Sequence, residues 1–188
     1  VNYLMLGNLT PEVQMDVLNQ MTRRPKLVVL DTMNFWMDVA MDGLLDVLKK
    51  VDVITINDEE ARQLSGEYSL VAAAAKIHKL GPKYLILKKG EHGVMLFREG
   101  RMFSFPALPV AEVVDLTGAG DTFAGGFIGY LAKTDDLSFE NMKRAIVYAS
   151  VMASFCVEDF SLSKLKSINN LDIAMRVDIF KEMTHFTM

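Results

Sequence analysis

Cysteine is nearly absent from this chain. Cys156 is the only one in 188 residues, so no internal disulfide can form. Clustered positive charge is absent as well. The formal net charge is −4 and the pI about 5.4. With no basic tail or stripe to neutralise a phosphate backbone, wholesale nucleic-acid binding is excluded. Mean hydropathy is +0.20, yet no uninterrupted apolar run approaches the roughly 20 residues of a membrane span. His78, His92 and His185 lie too far apart for metal-ligand spacing. No Walker A ending (Gly-Lys-Ser/Thr), third fingerprint glycine, HRD triplet or DFG triplet occurs, which removes the commonest nucleotide-binding motifs.

What is present is a globular composition, 51% hydrophobic and 23% charged, long enough for one domain with a real core. The lone cysteine and the lack of a signal sequence fit a cytoplasmic protein. Residue 1 is Val, and residues 1–6 already read as a buried strand. The chain is therefore expected to be the C-terminal part of a longer one. Apolar β-rich runs at 1–6, 26–30, 51–56 and 84–87 alternate with helical patterns at 11–21, 39–50, 58–64 and 70–80. Thr10 and Ser69 stand as helix caps, and Gly81 lies just past a helix end. Strands at 94–98 and 102–105 flank a turn at Glu99-Gly100. A short strand at 112–114 and helices at 120–133, 139–156 and 172–183 follow. This order predicts a single layered α/β domain over residues 1–188 with a largely parallel sheet, in which ligands sit at the carboxyl ends of the strands.

One segment carries chemistry. Asp115-Leu116-Thr117-Gly118-Ala119-Gly120-Asp121 joins the last expected strand to a long helix. Gly118, Ala119 and Gly120 let an anion approach the backbone closely. The first helical turn offers N–H groups without intrahelical partners, and its dipole favours negative charge. Such donors stabilise a phosphoryl group in transfer. Asp121, at the same turn, would repel a phosphate unless it had another task, and accepting the proton of an attacking hydroxyl is one. Taken alone, a Gly-Ala-Gly helix start is more often structural, with Asp121 serving only the dipole.

The segment resembles the D-T-x-G-A-G-D signature of the ribokinase-like (PfkB-type) carbohydrate kinases. Asn57-Asp58-Glu59-Glu60 resembles that family's N-x-x-E motif, Lys88-Lys89-Gly90-Glu91-His92-Gly93 its phosphate-side strand end, and Asp31-Thr32-Met33-Asn34-Phe35-Trp36 its D-x-N…W stretch. The matches run in order over about residues 1–157. The resemblance implies an ATP-dependent transfer of the γ-phosphate to a hydroxyl of a sugar or sugar-like small molecule. A nucleoside kinase and a non-catalytic nucleotide-binding module are the alternatives. It implies Asp121 as base, with the amides of Gly118, Ala119 and Gly120 as anion hole. Lys88, Gly90, Thr117, Gly118 and Gly120 would face the nucleotide. Asn57 and Glu60 would hold Mg²⁺ through water, and Asp115 would stand beside a monovalent cation such as K⁺ in relatives that use one. Without the resemblance, Glu60 reads as a solvated helix residue. Leu116 departs from the usual Thr or Pro, and Val157–Ser161 from a usual Gly-Ala turn, which leaves the adenine edge undefined. The acceptor-binding N-terminal part and its β-lid are expected to be missing. The sheet side this leaves exposed would favour association, such as a homodimer. No membrane partner is implied.

Overall fold

Branched apolar residues in runs of four or five form strands that must be buried on both faces. In this computed structural model, which describes residues 1–187, they do. β1 (Tyr3–Leu6), β2 (Leu27–Asp31), β3 (Val53–Asn57) and β4 (Tyr84–Lys88) pair in parallel. β5 (Val94–Arg98) runs antiparallel to β4, and β6 (Arg101–Phe105) completes a six-stranded sheet in sequence order. Val28, Leu30, Ile54, Ile56, Leu85 and Leu87 are buried, and so are the alternating Val29, Val53 and Ile86. Near-continuous apolar strands of this kind are what a parallel sheet requires.

The chain falls into two compact units, Val1–Ser104 and Phe105–Met188. In the first, the parallel crossovers are helical: α1 (Pro11–Asn19), α2 (Asn34–Val39), α3 (Met41–Leu48), α4 (Asp58–Ser65) and α5 (Leu70–His78). Met37, Leu44, Val47, Leu48, Ala61, Ala73 and Ile77 share one buried cluster with Leu30, Ile56 and Leu87. Thr10 caps α1 and Ser69 caps α5, as expected. The helix expected at 39–50 forms as α3, and the preceding α2 was not expected; Ala40, at φ −146°, leaves helical geometry and separates the two. His78 is half-buried with Nδ1 3.0 Å from the Pro82 carbonyl oxygen.

The second unit is helical: α6 (Ala119–Thr134), α7 (Phe139–Cys156), α8 (Ser163–Ser167) and α9 (Asn170–Thr184). Phe123, Ala124, Phe127 and Leu131 of α6 are buried, as are Met142, Ala145, Ile146 and Ala149 of α7. A Cβ on Gly126 would stand 3.1 Å from the Ala149 Cα, so α6 and α7 approach to near backbone contact there. The small residues of α7 therefore serve packing. No strand forms at 112–114. The Val114 amide donates instead to the Val157 carbonyl oxygen at 2.9 Å, an unpaired acceptor at the C-terminal end of α7. The short α8 and the Asn169–Asp172 capping box of α9 were not expected. Among the described residues no helix is long and apolar enough to cross a membrane.

Gly81 closes the α5–β4 connection at φ +140°, and a Cβ there would lie 2.3 Å from the Leu48 carbonyl oxygen. Gly81→Ala should lower the unfolding free energy by about 1–3 kcal/mol, through overlap with backbone that cannot swing away. Urea denaturation of both chains checks this.

Candidate functional site

Four parallel strands bring their carboxyl ends to one edge of the first unit, and the buried polar residues there gather into a network. Asp31 ends β2 and is 6% exposed, Thr55 sits beside it on β3 fully buried, and Lys88 ends β4. Asp31 Oδ1 accepts from Thr55 Oγ1 at 2.6 Å and from Lys88 Nζ at 3.0 Å. Gln14 of α1, 1% exposed, donates from Nε2 to the Gly7 and Asp31 carbonyl oxygens. Its Oε1 and the Thr32 Oγ1 are buried without a hydrogen-bond partner. Trp36 donates from Nε1 to Asn8 Oδ1 at 2.7 Å, so its ring is oriented by a polar bond as well as by its edge contact with Phe35.

Asn57 and Glu60 open α4 as a capping box. Asn57 Oδ1 accepts from the Glu60 amide and Glu60 Oε2 from the Asn57 amide, each at 2.8 Å. Glu60 is not the solvated residue that composition alone suggests, since it is 7% exposed. Burial pushes its carboxyl above the usual range, against the amide of Asn57 and the charge of Lys88, which pull the other way. Glu60 Oε1 has no hydrogen-bond partner among the described residues. A desolvated carboxylate with one oxygen to spare is suited to a cation held through water. No group of three or more metal-ligating side chains occurs among the described residues, so an all-protein cage is not available. Gly90, beyond Lys88 and Lys89, turns at φ +54° in a 3-10 turn closed by Lys89 N donating to the Gly93 carbonyl oxygen.

The signature lies in the second unit. Gly118 takes φ +77° as N-cap of α6, a left-handed geometry that suits glycine, and no side chain caps the helix. Nothing lies within 4 Å of where a Gly118 Cβ would be, so the turn is open on that side. Ala119 N donates to the Leu116 carbonyl oxygen at 3.2 Å, while Gly120 and the exposed Asp121 follow at the start of the helix. Asp115 Oδ1 accepts from the Thr117 amide at 2.9 Å. That amide, with the Thr117 hydroxyl, holds the Asp115 carboxyl below the usual carboxylate range. Asp115 thus shapes the loop that presents Gly118. The Cys156 thiol, buried on α7, faces the Thr117 carbonyl oxygen at 3.8 Å and packs as a small core residue.

Sequence comparison decides the family. A model described as the pfkB family of carbohydrate kinases matches residues 5–167. The chain belongs to that family. Among curated PfkB-type relatives, the cytidine kinase of Thermococcus kodakarensis is 34% identical over 131 residues, covering 66% of this chain and 46% of the relative. A ribokinase of Arabidopsis thaliana is 35% identical over 119 residues, covering 60% of this chain and 30% of the relative. The chain thus spans half or less of these relatives' length. Among solved structures, the ribokinase of Thermotoga maritima superposes with a TM-score of 0.74 at 24% identity, over 94% of this chain and 57% of that one. The structure of Arabidopsis thaliana ribokinase complexed with ribose and ATP gives 0.73 at 25% identity, over 94% and 56%. The PfkB fold accounts for the parallel sheet of the first unit, and both motif groups fall within the matched residues. The bond between Asp31 and Lys88 was the part that sequence reasoning missed. The pair is 57 residues apart, and only the adjacency of β2, β3 and β4 could have suggested it.

Ionising Glu60 in the folded chain is unfavourable, so its contribution to stability is present below the unfolded carboxyl value and is lost as pH rises through the higher folded one. Glu60→Gln keeps an acceptor for the Asn57 amide and removes that titration. The melting temperature of the wild type minus that of Glu60→Gln should therefore fall as pH rises from the ordinary carboxyl range upward. A difference that stays flat across this range would refute the burial of an ionisable Glu60.

Proposed function

We propose that this PfkB chain is the nucleotide-binding and catalytic portion of a phosphotransferase that moves the γ-phosphate of ATP to a hydroxyl of a sugar or nucleoside. The uncapped, open α6 N-terminus at Gly118, with Asp121 in its first turn, carries the reading. ATP, when bound, supplies the phosphoryl group and its leaving diphosphate. The amides around Gly118, Ala119 and Gly120 offer it preorganised donors, with Thr117 on the approach. Asp121 takes the proton of the acceptor hydroxyl as the oxygen attacks. In the first unit, Asn57 orients Glu60, whose free oxygen would hold Mg²⁺ through water. Gly90 and Lys88, at the strand ends, would face the nucleotide. A monovalent cation beside Asp115 belongs to the same proposal, as does a cytoplasmic location. Relatives named as ribokinase and cytidine kinase support both acceptor classes, and a panel containing ribose, fructose, cytidine and adenosine separates them.

Calorimetric titration with Mg-ATP tests the cradle. Saturable binding is expected, and Gly118→Val should abolish it, because a β-branched residue resists φ +77° and its side chain fills the open face. Equal binding by wild type and variant overturns the reading. For the base, Asp121→Asn should leave nucleotide binding within a few-fold while cutting phosphoryl transfer by about 10²–10⁴. Turnover that survives the substitution removes Asp121 from that role.

A further inference from the structure

Lys88 is a lysine that has been given an address. Its side chain is 21% exposed and its Nζ lies 3.0 Å from Asp31 Oδ1, while the Asp31 side chain beneath is 9% exposed. The same Oδ1 accepts the Thr55 hydroxyl at 2.6 Å, and Gln14 donates to the Asp31 carbonyl oxygen at 3.4 Å. Asp31 is therefore fixed from two sides. An ammonium carries three donors, and Asp31 is the one acceptor Lys88 has among the described residues. Two N–H bonds thus remain for a ligand at the carboxyl edge of a parallel sheet, where such sheets bind ligands. A free lysine would have to immobilise a four-carbon stem on binding an anion, a cost that a pre-formed pair has already met.

A purely structural ion pair is the competing explanation. The first unit holds one for comparison. At the amino end of the strands Asp52 binds Arg24 at 2.9 Å and also accepts the Val28 amide at 3.0 Å. Both Asp52 oxygens are used in joining chain segments, and its partner lies on the surface, 57% exposed. Asp31 differs: it has no main-chain amide to satisfy with its side chain, and what it holds is a cation with unused donors.

We propose that Asp31 is a positioning residue that fixes Lys88 as a preorganised contact for a polyphosphate anion. The proposal rests on the kinase reading for its biological ligand but not for its test. Inorganic tripolyphosphate is titrated into the wild-type chain, Asp31→Asn, Lys88→Met and the double variant. Asparagine keeps an oxygen for Thr55 and loses the charge that holds Lys88. Asp31→Asn and Lys88→Met should each weaken binding roughly tenfold, the scale of a hydrogen bond to a charged group. The double variant should be no weaker than Lys88→Met, because Asp31 acts only through Lys88. An Asp31→Asn loss that persists undiminished in the Lys88→Met background overturns the proposal. So does unchanged affinity in Asp31→Asn, or a wild-type chain that binds no tripolyphosphate. Nitrogen-15 relaxation of the Lys88 ammonium in the wild-type chain needs no variant to fold: a restricted group before ligand is added is expected, and a freely rotating one refutes the anchoring. Gly118→Val keeps the two readings apart. Unaltered Mg-ATP binding in that variant sinks the kinase reading whatever the cycle gives, and an additive cycle sinks this inference even where Gly118→Val abolishes binding.

Discussion

Four parallel strands cannot avoid presenting all their carboxyl ends on one side, and most of what is chemically interesting in the first unit follows from that constraint. β2, β3 and β4 are buried on both faces, so their charged side chains stand where the strands stop. β2, β3 and β4 end in Asp31, Asn57 and Lys88, and the pairing register sets Asp31 beside Thr55 and Asn57 beside Lys88. A buried Asp31 without partners would be costly. With Thr55 and Lys88 it becomes a fixed polar island, and the apolar sheet behind it keeps the surroundings dry.

The two ends of the sheet solve the same desolvation problem differently. At the amino end Asp52 spends its oxygens on Arg24 and the Val28 amide, and a weaker contact to Lys83 lies at 3.8 Å. Neither Asp52 oxygen is left over. At the carboxyl end Gln14 Oε1 and Thr32 Oγ1 are buried without partners, and Glu60 keeps one oxygen free. Natural proteins leave few buried polar atoms unsatisfied. Two of the three such side-chain atoms among the described residues, Gln14 Oε1 and Thr32 Oγ1, lie at the edge where ligands of such sheets bind, and the third is His78 Nε2 at the end of α5.

How much of this was legible beforehand depended on whether the signal was local. Caps at Thr10 and Ser69, the chain reversal at Glu99-Gly100 and the Gly-rich turn at Gly118 are written within a few residues of where they act, and each was found. The 112–114 segment looked like a strand because of the β-branched pair Val113-Val114. The Val114 amide is satisfied by a helix terminus more than forty residues on, at Val157, and no local pattern encodes that. Glu60 was misjudged as solvated for the same kind of reason. Three acidic neighbours in a row suggest a wet helix start, and only the placement of α4 beside the strand ends buries one of them. The Asp31–Lys88 bond is the extreme case, since neither residue has a local reason to seek the other.

The capping box at Asn57 and Glu60 bears on how the N-x-x-E motif works. Its spacing is that of an N-cap and the third residue of a helix, so the motif has a structural role before any metal is considered. Reciprocal bonds at 2.8 Å lock the Glu60 side chain in one orientation. The cost of burying the Glu60 carboxylate, visible in its raised affinity for a proton, is the cost that an approaching cation would offset. On the proposed reading, a helix cap that holds a half-satisfied carboxylate at the edge of the sheet would serve as a preorganised ligand as well as a stability device. The same local bonds that start α4 would then fix where a hydrated metal is held.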